Sequence, residues 1–428
     1  MASVNAVSTL TGLFKEVYGS SVIDLAKFQA KLSSRIKFAE AEAIGNKFHQ
    51  PVNVKLEHAF SYAASGSTPS LATVNTGQLQ DAQVDGSQLV GRSTVDYESI
   101  AKSMNGDKAA FIQATKHVVK NLSNSAVKRL EVQLLHGRSG IGKVSSLAAE
   151  AGTYTTVITL TDATWSPGIW AGMVGATLDF YSSAGGTWRN VASAVRVTCT
   201  ITAIDTVNKT VTISYGTARA SWTSTLAAND IIFFQSATGG TSGTEFMGID
   251  QISRNTGSMM NIDAATYELW AGNVYGTATG VLSMAKILDA VSIPASFGLA
   301  DDVLCIVSPK NFEVLNNDLA ALRMYDSSYS GAKAESGSET LKFHGQTGII
   351  EVLPHPFQKD GSVHIVPPAR MKRIGATDLT FIRRHGTSEA LILETADTAS
   401  AEMRVYSHQA LFIEAPRETV VMDGVTFV

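Results

Sequence analysis

Residues 137–144 read GRSGIGKV, one residue short of the phosphate-binding pattern G-x-x-x-x-G-K-[ST]. That loop wraps a phosphate in backbone N–H groups and needs a hydroxyl after the lysine to hold magnesium; it also follows a strand and opens a helix. Here Val144 takes the hydroxyl's place, and the segment follows a helical pattern. The local reading is a helix end and a turn, with Gly137 as the first residue past the cap. His344, His355 and His364 are the next candidates, because imidazole suits zinc. Their spacing is long, and no cysteine or paired carboxylate completes a ligand set. Pro354 and Pro356 flank His355 as in a turn, so surface and loop positions account for these histidines. Cys305 lies inside the apolar run DDVLCIVSP, which makes it core rather than nucleophile. Asp301 and Asp302 precede that run and end a turn. G-x-S-x-G and H-E-x-x-H are both missing. The residues therefore define no catalytic set, no metal site and no cofactor site.

The bulk numbers narrow the classes further. The chain has 428 residues, 44% of them hydrophobic, and only 17% charged. An average soluble chain carries about 25% charged residues. No apolar run approaches the ~18–20 residues of a membrane span, so no membrane is expected. The N-terminal segment lacks the pattern of a secretory signal. Low charge without a membrane is either ordinary Ser/Thr/Ala/Gly-rich composition or a surface largely given over to subunit interfaces, whose centres are depleted of charge. A net charge of −4 and a pI near 6.2 argue against a dedicated nucleic-acid binder. Cys199 and Cys305 are far apart and read as reduced thiols of a chain made in a cytoplasm.

Several elements are legible from periodicity. Residues 107–136 contain no Gly or Pro. Phe111, Ala114, Val118, Leu122, Ala126, Leu130 and Leu134 form one apolar stripe there. Such a helix is about 45 Å long at ~1.5 Å per residue, a spine rather than a core helix. Before it, PVNVK alternates as a strand, and STVDYESIAK resumes a strand-like pattern. Between them, residues 61–92 form a polar, charge-poor stretch spaced with Tyr62, Leu71, Val74, Leu79, Val84, Leu89 and Val90. This predicts a very long hairpin arm with no core of its own. Loops this long are typically functional or disordered.

Residues 153–246 hold Trp165, Trp170, Trp188 and Trp222. In RVTCTITAI, Val197, Cys199 and Ile201 alternate with polar residues. The expectation is a separately folded β-rich insertion. Beyond residue 260 the pattern is mixed: MAKILDAVS and KNFEVLNNDLAALRMY as helices, and VLCIV, GIIEVLP and SVHIVPP as strands. EALILETA, EMRVYSHQALFIEAP and TVVMDGV read as closing strands.

In this order the elements resemble the major capsid protein of tailed bacteriophages, the Johnson fold. LFKEVYGSSVIDL followed by KFHQPVNVKLEHAFSYA looks like its N-terminal arm and extended loop, LLHGRSGIGKVSS like the end of its spine helix. VTCTITAIDTVNKTVTISYG with AANDIIFFQSA resembles the β-domain inserted in some members. SEALILETADTASAEMRVYSHQALFIEAP looks like the closing strands. The resemblance implies an α+β subunit. Its parts would be an N-terminal arm (1–49), an extended loop (50–101), a spine helix in a peripheral domain (102–152), an inserted β-barrel-like domain (153–246), an axial α/β domain (247–375) and closing peripheral strands (376–428).

By the same resemblance, Tyr62, Leu71, Val74, Leu79, Val84, Leu89, Val90 and Arg92 would contact neighbouring subunits. The chain would self-assemble through hexamers and pentamers into an icosahedral shell around double-stranded DNA, touched non-specifically. A separate scaffolding chain and a portal are implied partners, with assembly in the bacterial host cytoplasm and a final location in the virion capsid. Two departures matter. There is no lysine between Leu56 and Ala101, so crosslinking through a loop lysine is not expected. Only about fifty residues precede the loop's first strand, too few for the long cleaved scaffolding segment of some members. A phage tail or adhesion protein would share the β-rich composition but should show repeats or heptads. An enzyme should show converging ionisable groups.

Overall fold

A computed structural model describes residues 30–39, 47–96, 98, 114–152, 154–193, 195–239, 243–276, 279–318, 341–382, 393–394 and 400–427. The chain divides into two compact units. One comprises residues 1–29, 89–128 and 379–406, the other residues 30–88, 129–378 and 407–428. Residues 1–29 and 40–46 of the N-terminal arm, the first turns of the expected spine helix and most of EALILETA lie outside the described residues.

In the first unit, residues 114–128 of the helix Ala114–His136 lie beside residues 89–96 of the strand Ser87–Asp96 and residues 400–406 of the strand Ser400–Ile413. Gly91 sits where a Cβ would already touch Leu122 and Val405, at 3.4 and 3.8 Å. Val95, Ala126, Met403 and Val405 are buried there. Met403 and Val405 share one face of their strand because side chains alternate with period two. Leu393–Glu394 pairs antiparallel with residues 401–402.

The second unit is built on a six-stranded sheet. In spatial order its strands are Asn273–Tyr275, Val420–Asp423, Ser362–Val366, Val303–Val307, Ile349–Pro354 and Leu341–His344. Val303–Val307 runs parallel to Ile349–Pro354 and antiparallel to Ser362–Val366. It lies between two strands and all five of its residues are buried, which is why it reads as an unbroken apolar run. The helix Met284–Ser296 starts at Ser283, whose hydroxyl accepts from Lys286 N, an N-cap. Ile287, Ala290 and Val291 pack from it onto Cys305, Val352, Ile365 and Met422. The strand Val420–Asp423 thus belongs to this sheet, where a closing peripheral strand was expected. Its Val-Val-Met run is long enough to be buried on both faces.

A closed six-stranded antiparallel barrel forms the rest of the unit's β-structure. Around the barrel run Cys199–Asp205, Thr210–Tyr215, Thr155–Leu160, Gly142–Leu147, Ile231–Phe234 and Thr177–Tyr181, which returns to Cys199–Asp205. Its interior holds Val144, Ile158, Leu160, Phe180, Cys199, Ile201, Ile213 and Ile232. The expected start of the β-rich segment at residue 153 is therefore too late, because Gly142–Leu147 is one of the staves.

That stave also settles GRSGIGKV. The amides of Ile141 and Val144 donate to Ile232 O and Asp230 O at 2.8 and 2.9 Å. Lys143 N donates to Thr164 Oγ1 at 2.9 Å. None of these groups is left to cradle a phosphate. The helix ends at His136, but the left-handed residue is Arg138 (φ 64°), followed by Gly140 (φ 78°), not Gly137. Gly137 is needed for space: a Cβ there would stand 2.4 Å from Phe246 O and 2.6 Å from Gln133 O.

Candidate assembly surface

The hairpin arm is built from Phe48–Lys55 and Gln78–Val84, paired antiparallel from Phe48↔Val84 to Lys55↔Gln78. The second strand was expected around residues 93–102. The closer segment wins because its register lets Ala82 and Val84 be buried on one face with Val54. Pro51 is tolerated because a two-stranded ribbon has only edge positions. His49 Nδ1 and Asp81 Oδ2 meet across the strands at 2.6 Å.

The base of the hairpin is anchored. Gln83 N donates to Met260 O at 2.9 Å, and Asn261 Nδ2 to Asp81 O at 3.3 Å. Met260 and Asn261 both have positive φ, a tight turn of the type that closes two-residue hairpins. Gln80 Nε2 donates to Tyr267 OH at 3.1 Å, and Phe48 meets Phe412 edge-on at 5.8 Å.

Residues 56–77, between the two strands, have no strand or helix of their own. One ladder bond continues, from His58 N to Asn75 O at 3.1 Å, and a turn is closed by Ser67 N donating to Ala64 O at 3.0 Å. Along this stretch Leu56, Phe60, Tyr62, Leu71 and Val74 are exposed, joined by Leu79 on the strand. Tyr62 and Leu71 reach 97% and 96%. A chain with a core available to it would not leave that row in water. Burying such aliphatic and phenyl side chains is worth about 1.5–3 kcal/mol each.

Of the residues expected to contact neighbours, Tyr62, Leu71, Val74 and Leu79 stand on this surface. Val84 does not: it is 3% exposed, buried within its own unit. It lies at the anchored base, where the strand pairs with Phe48. Leu89, Val90 and Arg92 belong to the other unit. There Leu89 is half-buried, Val90 exposed, and Arg92 Nε pairs with Glu402 Oε2 at 3.1 Å. Leu56 and Phe60 were missed. Both lie in VKLEHAFSY, and extending the apolar spacing back by five residues finds them.

The ionisable candidates converge, but inward. His355 and His364 are fully buried, against the expectation of surface and loop positions: His364 lies on Ser362–Val366 inside the sheet and His355 just past the strand Ile349–Pro354, whereas His344, on the edge strand Leu341–His344, is exposed as expected. His355 Nε2 bonds Glu131 Oε2 at 2.9 Å. Burial pushes the Glu131 carboxyl up, but His355, the Ser33 hydroxyl and the Leu32 amide together hold it below its ordinary value. Glu131 thereby ties Leu32 and Ser33 to the helix.

His364 lies 3.5 Å from Asp250 Oδ1 and 6.1 Å, ring to ring, from His136. Burial pushes His364 down to about 4 and His136 well below its usual range. Lys359, wholly buried, is pushed down to about 8 in spite of Asp250, and donates to Gly140 O at 2.8 Å. Asp250 is held well below the usual carboxylate range against burial, chiefly by Arg254 and then by Lys359. Arg254 Nε donates to Asp250 Oδ1 at 2.7 Å, and the same guanidinium forks onto Asp423. His136, His364 and Asp250 are buried, with Arg254 and Asp423 partly exposed beside them, and the arrangement joins the sheet to the helix end. Among the described residues no group of three or more His, Cys, Asp or Glu side chains is placed to hold a metal. Cys199 and Cys305 are free and buried, with the Cys305 thiol pushed up to about 12 by burial. No described helix is long and apolar enough to cross a membrane.

No protein-family model matches the chain, and no curated protein matches its sequence. Its fold, however, is that of a phage capsid protein. A chain of the cyanophage A-1(L) capsid asymmetric unit superposes with a TM-score of 0.57 at 10% identity, covering 99% of this chain and 100% of that one. Chains from Mycobacterium phage Bobi and from the capsid of a native GTA particle align over 100% and 99% of this chain. Their TM-scores are both 0.49 at 11% and 8% identity, and each match covers 100% of the other chain. The first of these matches bears out the α+β capsid fold expected from the order of elements.

Proposed function

We propose that this chain is a major capsid protein of a tailed bacteriophage. It assembles with copies of itself, through hexamers and pentamers, into an icosahedral shell enclosing double-stranded DNA. The observation that carries this reading is the hairpin arm: anchored at its base and bare at its apolar tip, on a fold shared end to end with a phage capsid chain. An exposed edge ribbon with unsatisfied backbone and apolar side chains is the geometry of strand addition in trans. The role is structural rather than enzymatic, a reading supported by the acids and histidines being taken up in pairs that join core elements. A separate scaffolding chain and a portal complete the set of partners, and DNA is touched without sequence preference. Assembly takes place in the bacterial cytoplasm, and the virion capsid is the final location.

The test is assembly with and without the arm's tip. Replacing residues 58–75 with a short Gly/Ser linker leaves both strands and Val84 in place. The subunit should stay soluble with unchanged circular dichroism, and should fail to form shells in sedimentation and electron microscopy. Normal shells from this variant would overturn the reading. Fibres or discrete small particles from the intact chain would favour a tail, adhesion or enzymatic role.

A further inference from the structure

The hairpin arm has two outer edges, and they are not alike. Gln83 N points away from Phe48–Lys55, because it donates to Met260 O at 2.9 Å. In an antiparallel pair the outward-pointing backbone groups recur at every second residue. The amides of Asp81 and Leu79 therefore point the same way as that of Gln83. Across the ladder the pairs are His49↔Gln83, Pro51↔Asp81 and Asn53↔Leu79. His49, Pro51 and Asn53 thus direct their backbone groups out along the opposite edge.

That opposite edge is guarded. Pro51, at its centre, has no N–H to offer, and the strand ends on Lys55. Proline and lysine are the devices that keep an edge strand from pairing. The edge of Gln78–Val84 is built differently. Its base is already taken by the chain's own turn, Met260 O accepting from Gln83 N and Asn261 Nδ2 donating to Asp81 O. Beyond that base, residues 75–80 include no proline and no charged side chain. Gln78 and Leu79 are exposed there. Such a run is roughly 20 Å long at ~3.4 Å per residue, the usual length of one strand.

We infer that the outer edge of Gln78–Val84, from Leu79 toward the tip, takes an extended segment of a second copy of this chain. The inference rests on the capsid reading above, which makes copies of the same chain the neighbours of every arm. The Met260–Asn261 turn shows that this edge accepts backbone partners, and the incoming segment continues the ladder that the turn begins. It also gives Leu79, 70% exposed, a cross-strand neighbour. The Pro51 edge stays unpaired in the shell.

The experiment uses shells of this chain alone and full-length variants of it. Leu79→Pro removes the outward donor, as Pro51 does on the other strand. Leu79→Ala removes only the side chain, and Asn53→Pro removes an outward donor from the guarded edge. Each should keep the circular dichroism of the unaltered subunit, since the ribbon already accommodates Pro51. Leu79→Pro should raise the critical concentration for shell formation at least about tenfold above that of Leu79→Ala, because it leaves a partner carbonyl unpaired. Asn53→Pro should stay within about twofold of the unaltered chain, as a surface change does. Hydrogen exchange resolved to single amides supplies a readout free of any substitution. The Leu79 amide should exchange roughly a hundredfold more slowly in shells than in the free subunit, and the Asn53 amide should not change. Equal critical concentrations for Leu79→Pro and Leu79→Ala, or a Leu79 amide that exchanges as fast in shells as in the subunit, overturn the inference and leave the capsid reading standing. Protection of Leu79 that appears only when a different protein is added overturns it too. An intact chain that forms no shells overturns the capsid reading and this inference with it.

Discussion

The buried histidine beside Asp250 makes a quantitative test of the packing around the helix end. His364 is fully buried and both its ring nitrogens lack a partner within hydrogen-bonding geometry, so the folded protein holds it neutral. Its pKa falls from 6.5 unfolded to about 4 folded, burial outweighing the nearby Asp250. A depressed base binds fewer protons in the folded state, so its stability contribution is complete above pH 6.5. It declines as pH falls and levels off below about pH 4. Linkage gives a loss of about 2 kcal/mol between pH 7 and pH 5, and about 3 kcal/mol in full.

Other groups act over the same interval. His136 adds a loss of the same sign. Glu245, raised to about 7 by burial, adds a gain as the pH falls. Asp250 stays ionised, and Lys359, at about 8, is mostly protonated at pH 7 and fully so at pH 5. The clean measurement is therefore a difference. Urea midpoints and slopes are taken at pH 7 and pH 5 for the unassembled protein and for His364→Gln. The variant's fixed cost cancels between the two pH values, as does the contribution of Glu245; that of His136 cancels except for the part of its shift that His364 causes, which is smaller than those of burial, Lys359 and Asp250. The variant should lose about 2 kcal/mol less than the unaltered protein on going to pH 5. Parallel pH profiles, within about 0.5 kcal/mol, would refute the assignment of His364 as a buried neutral imidazole.

Glu131→Ala strands the buried His355 and frees Leu32 and Ser33; breaking a buried pair on one side should cost about 3–5 kcal/mol, read as a lower urea midpoint. A fragment of residues 140–246 should give a cooperative thermal transition and dispersed amide signals. One of residues 153–246, lacking the stave Gly142–Leu147, should give neither, and equal behaviour of the two would argue against closure. Because residues 56–101 carry no lysine and both cysteines are buried, shells boiled in detergent with or without reductant should run as one band near 45 kDa. A ladder would show covalent links. Gly137→Ala, forced against Phe246 O and Gln133 O, should cost about 1–3 kcal/mol by overpacking, whereas Gly257→Ala, with open space around it, should be nearly neutral.

What could be read from the chain alone were features carried by local period and by order. The stripe Ala126–Leu130–Leu134 foretold the helix. Unbroken apolar runs foretold the buried strands of the central sheet, and alternation around Cys199 foretold a strand of the β-rich segment. Spaced apolar residues in a charge-poor stretch foretold the exposed arm. Each depends only on neighbours a few residues away, so sequence suffices. The order of these elements was enough to point to a capsid fold.

Partner choice was not legible. That Phe48–Lys55 takes Gln78–Val84, that Gly142–Leu147 closes a barrel, and that Val420–Asp423 joins the central sheet are outcomes of competition between segments with similar patterns. Burial decided each of them: the winning register puts Ala82, Val84 and Val144 out of water. The same holds for charge. Nothing in the spacing of Glu131, Asp250, His355 and His364 tells that they meet. Histidine is polar enough to be read as surface and hydrophobic enough to be buried when a carboxylate lies close by. Only the folded chain brings residues more than a hundred positions apart within hydrogen-bond reach, and only there does the environment set which of them carries a proton.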